Sequence, residues 1–327
     1  MPDRSVYSWS NIGVAIAGGL AAAAVFAVLT KGTLPGLLLA HLAPLPIMIV
    51  ALGFGIGHGA TAALIAAAAL TIWPHYTFGI VYSVAIALPA FLASYAVSGA
   101  PWRRRDLLSK HRPAWACVAA ASVLALGAVG LLAAAVLITG SLGEALSPIR
   151  ARAFMLLDQA IRSQELPDTL NASDMSGVIA RTTPAAFASY LLLLHMLNLW
   201  GAARIVRASS LTKEPWPDTA LEFVLPRAIA AVFLVGVGAA AFGPGVFGVA
   251  GLIVALTFGL ALAFQGLAVV HGILRGAKSS VVLLSILYFA LGLLGWPIVL
   301  LAALGVVDVI FDFRNRKAAR AAPAQER

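Results

Sequence analysis

Apolar runs of about 20 residues recur along the whole chain, and that is the length at which a helix crosses the hydrocarbon core of a bilayer. "GVFGVAGLIVALTFGLALAFQGLAVV" (Gly245 to Val270) is one such run. In lipid every backbone N–H and C=O must be satisfied within the protein, so only helices and closed barrels can span. A barrel needs ten-residue segments of alternating polarity, and the chain has none. It is 61% hydrophobic and 11% charged, where soluble domains carry roughly 25% charged residues. The sequence therefore predicts an all-α, polytopic transmembrane helical bundle.

The runs place ten spans, with eight as the lower bound, at 11–30, 36–56, 58–72, 77–98, 114–139, 179–201, 223–242, 245–271, 279–294 and 296–312. The first run is too long for a signal-peptide core and reads as a retained span. Net charge is +9, but the basic residues sit in short clusters between apolar runs, which is the positive-inside pattern rather than a nucleic-acid footprint. The strongest cluster, "WRRRDLLSKHR" (Trp102 to Arg112), fixes the cytoplasmic side. Ten spans then put Arg204, Arg207, Lys213, Arg275, Lys278, Arg314, Arg316, Lys317 and Arg320 inside. Of the 22 basic residues only Lys31, Arg150, Arg152, Arg162 and Arg181 stay outside. Both termini are expected in the cytoplasm. Gly295-Trp296-Pro297 breaks the last apolar stretch into two spans, because proline cannot continue the hydrogen-bonded ladder. "GFGIGHGA" around His58 predicts a tight hairpin between the second and third spans.

Residues 141–178 are too polar to cross. Ile149, Ala153, Leu156, Leu157, Ala160 and Ile161 recur at helical spacing, which predicts an extracytoplasmic amphipathic helix. The chain is thus divided into an N-terminal five-span group (1–140), this insertion (141–178), a C-terminal group (179–314) and a polar, disordered basic tail (315–327). The single cysteine, Cys117, excludes an internal disulfide and a thiolate metal cage.

Polar groups inside hydrocarbon are costly and need partners or a purpose. At 1.5 Å per residue, His271 lies about 6 Å deeper than Arg275, Asp308 about 9 Å deeper than Arg314, and Gln265 about 15 Å deeper than Arg275. Asp308 can thus meet His271 or Arg227 at one depth, and Asp312 shares its face. Gln265, His271, Tyr288, Asp308 and Arg227 are the candidate solute-binding residues. The same groups can equally tie helices together, and a proton-coupling role for His271 is a further possibility. His41 lies beside Pro44 and Pro46, which prevent a regular helix there; a packing kink and a ligand-facing break are both open. His75 beside Trp73 and Tyr76 reads as an interface residue, and His195 with Asn198 as interhelical ties. Ala15, Gly19, Ala23 and Ala27 form a small-residue ridge fit for close approach of a partner helix, and Gly55 with Gly59 another. No catalytic motif, phosphate-binding glycine loop or metal-ligand spacing is present, so the sequence points to no enzyme activity, cofactor or metal.

"QGLAVVHGILRG", Leu287-Tyr288, "LGVVDVIFDFRNR" and the N-terminal "LAPLPIMIVALGFGIGHGATAALIAAAALTIW" with "YSVAIALPAFLASYAV" resemble the YybS-like family of bacterial membrane proteins of unknown function. The resemblance covers about residues 35 to 314 and implies a multi-pass protein of the bacterial inner membrane. Its N-terminal part is similar to the S components of energy-coupling-factor transporters, which bind solute and dock on a membrane partner. This chain departs from them in its larger number of spans and in the outer insertion. Three readings follow. One is a solute-binding, transport-associated component without its own ATPase, partnered by the bilayer, a small-molecule solute and membrane subunits, but not by nucleic acid. The alternative is a non-transporting scaffold in cell-envelope assembly. The third is an enzyme on lipid-linked substrates using Arg150, Arg152 and Arg181. A closed polar cavity, fully paired polar groups, or converging arginines would distinguish them.

Overall fold

The computed structural model describes residues 9–98, 111–163, 167, 169–212 and 216–311. Trp102 to Lys110, Lys213, Asp312 and the basic tail lie outside them. Every regular element among the described residues is helical. In chain order these are α1 (Trp9–Ala27), α2 (Leu34–Ala40), α3 (Pro44–Phe54), α4 (Ile56–Ile72), α5 (Tyr76–Tyr82), α6 (Leu88–Ser98), α7 (Arg112–Thr139), α8 (Leu142–Arg162), α9 (Ala172–Ala208), α10 (Thr219–Glu222), α11 (Arg227–Phe242), α12 (Gly245–Leu274), α13 (Ser280–Leu294) and α14 (Pro297–Phe311). A π-helical turn, Ser83–Ala87, joins α5 to α6. Among the described residues six stretches are long and apolar enough to cross a membrane: Asn11–Lys31, Leu34–Phe54, Tyr76–Ser98, Arg112–Thr139, Ala172–Ala208 and Gly245–Leu274. The apolar helices α4, α11, α13 and α14 are shorter.

Local chemistry sets the boundaries. Thr33 caps α2 through the Gly36 N–H at 3.2 Å. Proline cannot donate, and the chain turns at His41–Ala43 before Pro44 starts α3. Gly55, at φ +112°, is the single residue between α3 and α4, a backbone conformation closed to a side chain bearing Cβ. It folds the two helices into the expected hairpin, in which Gly59 lies directly on Ala51. Asn171 caps α9 through the Ser173 and Asp174 N–H groups. That cap explains why α9 begins at Ala172 although the apolar run begins only at 179: a helix continues wherever its backbone is satisfied, and apolarity marks only the part facing lipid.

The amphipathic segment forms α8, opened by Ser141, which accepts from the Glu144 N–H. It packs along α9 and the end of α7. Leu146 and Ala153 are buried there, while Phe154, Met155 and Leu156 remain exposed. Arg150 donates to Ser173 at 3.4 Å, and Arg181 is exposed.

The ridge of α1 is occupied within the chain. Ala15, Gly19 and Ala23 are buried and Ala27 half-buried; a Cβ on Gly19 would fall 2.6 Å from the Ala62 carbonyl and 2.9 Å from Ile65 Cβ, so the ridge seats α4. Further along, α9 lies between the two groups of spans, touching α3, α6 and α7 as well as α12.

The C-terminal helices are assembled through glycines. α11 and α12 run antiparallel, with Gly236 against Ala255 and Gly259 against Phe233. α14 crosses α12 at Gly266 and Gly305. A Cβ on Gly266 would overlap the Leu301 carbonyl, and one on Gly305 would overlap the Leu262 carbonyl. Each glycine thus meets the carbonyl four residues before the other. Leu256 and Gly259 also share a groove with Ile298 and Ala302, so the two helices run in the same direction. The intervening α13 therefore returns the chain between them. None of its residues is buried, and its principal contact is α14.

Candidate functional site

The candidate residues of the C-terminal group divide into two arrangements. Gln265 is completely buried and Asp308 is 3% exposed. Gln265 Nε2–H donates to Asp308 Oδ2 at 2.8 Å, and Gln265 Oε1 accepts from the Leu225 N–H at 2.7 Å. One amide thus ties α12 to α14 and to the backbone just before α11. Leu225 needs that acceptor because it lies between α10 and α11, outside the hydrogen-bond ladder of either helix. The arrangement sits one turn from the Gly266–Gly305 crossing, where close backbone contact brings the two side chains within reach. Arg227 is exposed at the start of α11.

His271 faces elsewhere, as its six-residue separation from Gln265 requires. Its Nδ1–H donates to the Leu267 carbonyl at 2.9 Å. In the neutral ring this leaves Nε2 as an acceptor, and the Tyr288 hydroxyl donates to it at 3.3 Å. The pair lines a cleft of about 250 Å³ between α7, α9, α10, α12 and α13. Its walls include Trp200, Trp216, Phe223 and Phe264. The indole N–H of Trp216 is buried and has no hydrogen-bond partner among the described residues. At the rim Arg275 bonds Asp218 at 2.5 Å, and Asp218 also caps α10 through the Ala220 N–H. The cleft offers aromatic faces and one hydroxyl oxygen with its lone pairs free.

A second cleft, of about 380 Å³, lies between α1, α2, α5 with its π turn, and α9. His41 and Tyr190 are bonded to each other at its edge. Asn198 fastens the helix break beside them, donating to the His41 carbonyl at 2.9 Å and the Leu194 carbonyl at 2.8 Å. His195, one turn along, is wholly buried, with Nδ1 at 2.7 Å from the Leu191 carbonyl and Nε2 at 3.2 Å from the Ile86 carbonyl of the π turn. A π turn displaces carbonyls from their usual partners, and His195 is placed at one of them. Tyr190 carries no sequence signal of its own; its role depends on a residue 149 positions away. Among the described residues no group of three or more His, Cys, Asp or Glu is arranged to hold a metal ion.

None of the curated proteins and none of the solved structures compared matches the chain. Residues 21–309 match the family described as Predicted membrane protein (DUF2232), and with nearly the whole helical bundle covered, the chain belongs to that family of membrane proteins.

Proposed function

We propose that this protein is a solute-binding component of a bacterial inner-membrane transport system, energised by partner subunits because the chain carries no nucleotide-binding loop. The observation that carries this reading is the aromatic cleft at His271 and Tyr288. Ligand pockets are mostly apolar with a few placed polar groups, and here the Tyr288 hydroxyl presents an acceptor among aromatic walls. The solute class is a small planar heterocycle carrying a donor, stacked between Trp200, Phe223 and Phe264. Gln265 and Asp308 hold α12 in position from behind.

The proposed topology is ten crossings with both termini in the cytoplasm. Its support is that α12 and α14 run in the same direction, which calls for a return through α13. The distribution of basic residues agrees with it. A scaffold reading has one observation in its favour: α13 buries no side chain, leaving an apolar helix open to a membrane partner.

The test is a thermal-shift screen of the purified protein against planar heterocycles, vitamins and amino acids. A stabilising solute should lose most of its effect in Trp216→Ala and Tyr288→Phe, while Arg227→Gln leaves it intact. A solute whose effect survives both aromatic substitutions binds elsewhere and overturns the assignment.

A further inference from the structure

The cleft at His41 and Tyr190 has a different chemistry, and its hydrogen bonds specify what it accepts. Of its fourteen lining residues only His41, Thr77 and Tyr190 are polar, and no Lys, Arg, Asp or Glu is among them. Phe26, Phe78 and Phe187 supply much of the wall. His41 Nδ1–H donates to the Leu37 carbonyl, which commits the neutral ring to that tautomer and leaves Nε2 as an acceptor. Tyr190 must then donate its proton to His41 Nε2. Thr77 is committed likewise, because its hydroxyl lies 3.0 Å from His75 Nδ1, which already accepts from the Thr77 N–H. Both hydroxyls spend their protons inside the protein and turn only lone pairs to the cleft.

From this we propose that the cleft is a binding site for a neutral amphiphile headed by a hydroxyl group, such as a long-chain or polycyclic alcohol, with the head donating to Tyr190 Oη and the apolar body lying along the phenylalanines. A carboxylate or phosphate head meets lone pairs with no cation to balance it, and a buried unpaired charge is strongly disfavoured. An ether head has no proton to give. The ligand reaches the site either from the bilayer or from solution.

The test uses full-length protein in detergent, with 1-tetradecanol, tetradecanoate at alkaline pH and methyl tetradecyl ether as probes. Binding is read by native mass spectrometry and by thermal shift. Tetradecanol should bind and stabilise, and the ether and carboxylate should bind about tenfold more weakly, the factor that one hydrogen bond of ordinary strength provides. Tyr190→Phe should weaken tetradecanol to the level of the ether, and Leu194→Trp, which fills the cleft, should abolish binding. Because Tyr190→Phe also removes the bond to His41, Thr77→Val serves as a second variant that keeps that bond and should leave the preference for alcohol over ether unchanged. Tyr288→Phe, at the other cleft, should leave tetradecanol binding unchanged. Protein released directly from membranes and carrying a neutral alcohol identifies the bilayer as the source; protein released empty that takes up added tetradecanol identifies solution. Equal binding of alcohol and carboxylate, or alcohol binding insensitive to Leu194→Trp, overturns the proposal.

Discussion

Gly266 and Gly305 each rest against the carbonyl of the residue four positions before the other, so that α12 and α14 touch backbone to backbone. Small residues at a helix crossing allow this approach, and in lipid, where burial of apolar area gives little drive, close packing is much of what holds helices together.

Gly266→Ala and Gly305→Ala should therefore each destabilise the protein by about 1–3 kcal/mol, the usual cost of overpacking. Once one methyl has separated the helices, the second has less contact left to lose, so the double variant should cost less than the two single costs together. Thermal unfolding in detergent measures this. Unchanged melting in both single variants would show that the crossing is not as tight as described.

Gln265 serves two partners and Asp308 Oδ2 depends on it. Gln265→Leu should cost about 1–3 kcal/mol, because it strips a buried backbone N–H and a buried carboxylate oxygen of their partners. Asp308→Asn keeps an oxygen that accepts from Gln265 and should cost less. A reversed order, measured by chemical or thermal unfolding, would indicate that the amide is not the centre of the arrangement.

Asn198 aims its NH₂ group at two carbonyls. Asn198→Asp puts an ionised acceptor where two donors stood, and should destabilise by about 1–3 kcal/mol at neutral pH. Thermal unfolding in detergent measures this, and a variant as stable as wild type would refute the donor role.

The chain contains one cysteine, Cys117, which is buried, so accessibility labelling has a quiet background. With ten crossings, Trp296→Cys should react with an impermeant maleimide from the outer side and Lys278→Cys only after the inner side is opened. Labelling of both from one side would mean that α13 does not cross.

The positions of the helices were legible from the apolar runs: each of the ten expected runs falls on apolar helix, with α2 and α3 together making the second, and six of these stretches among the described residues are long enough to cross a membrane. The break at Gly295-Trp296-Pro297 and the hairpin at Gly55 were legible for the same kind of local reason, a residue that cannot donate or a backbone angle only glycine takes freely. What spacing does not encode is which faces meet. Gly266 and Gly305 are two of 30 glycines, and nothing local separates them from Gly13 or Gly130, which face open space. Depth estimates brought Asp308 level with His271, but packing turned Gln265 toward Asp308 and His271 toward Tyr288. His41 was readable as a helix break; that it also holds Tyr190 is a property of the folded bundle. The π turn at Ser83–Ala87 gives no warning in "SVAIA".

The shared direction of α12 and α14 also constrains the order of biogenesis. In the proposed ten-span topology α14 finds its groove only after α13 has carried the chain back through the bilayer, so the seam at Gly266 is the last to close. Until then the Gln265 amide holds the Leu225 N–H but lacks the Asp308 carboxylate.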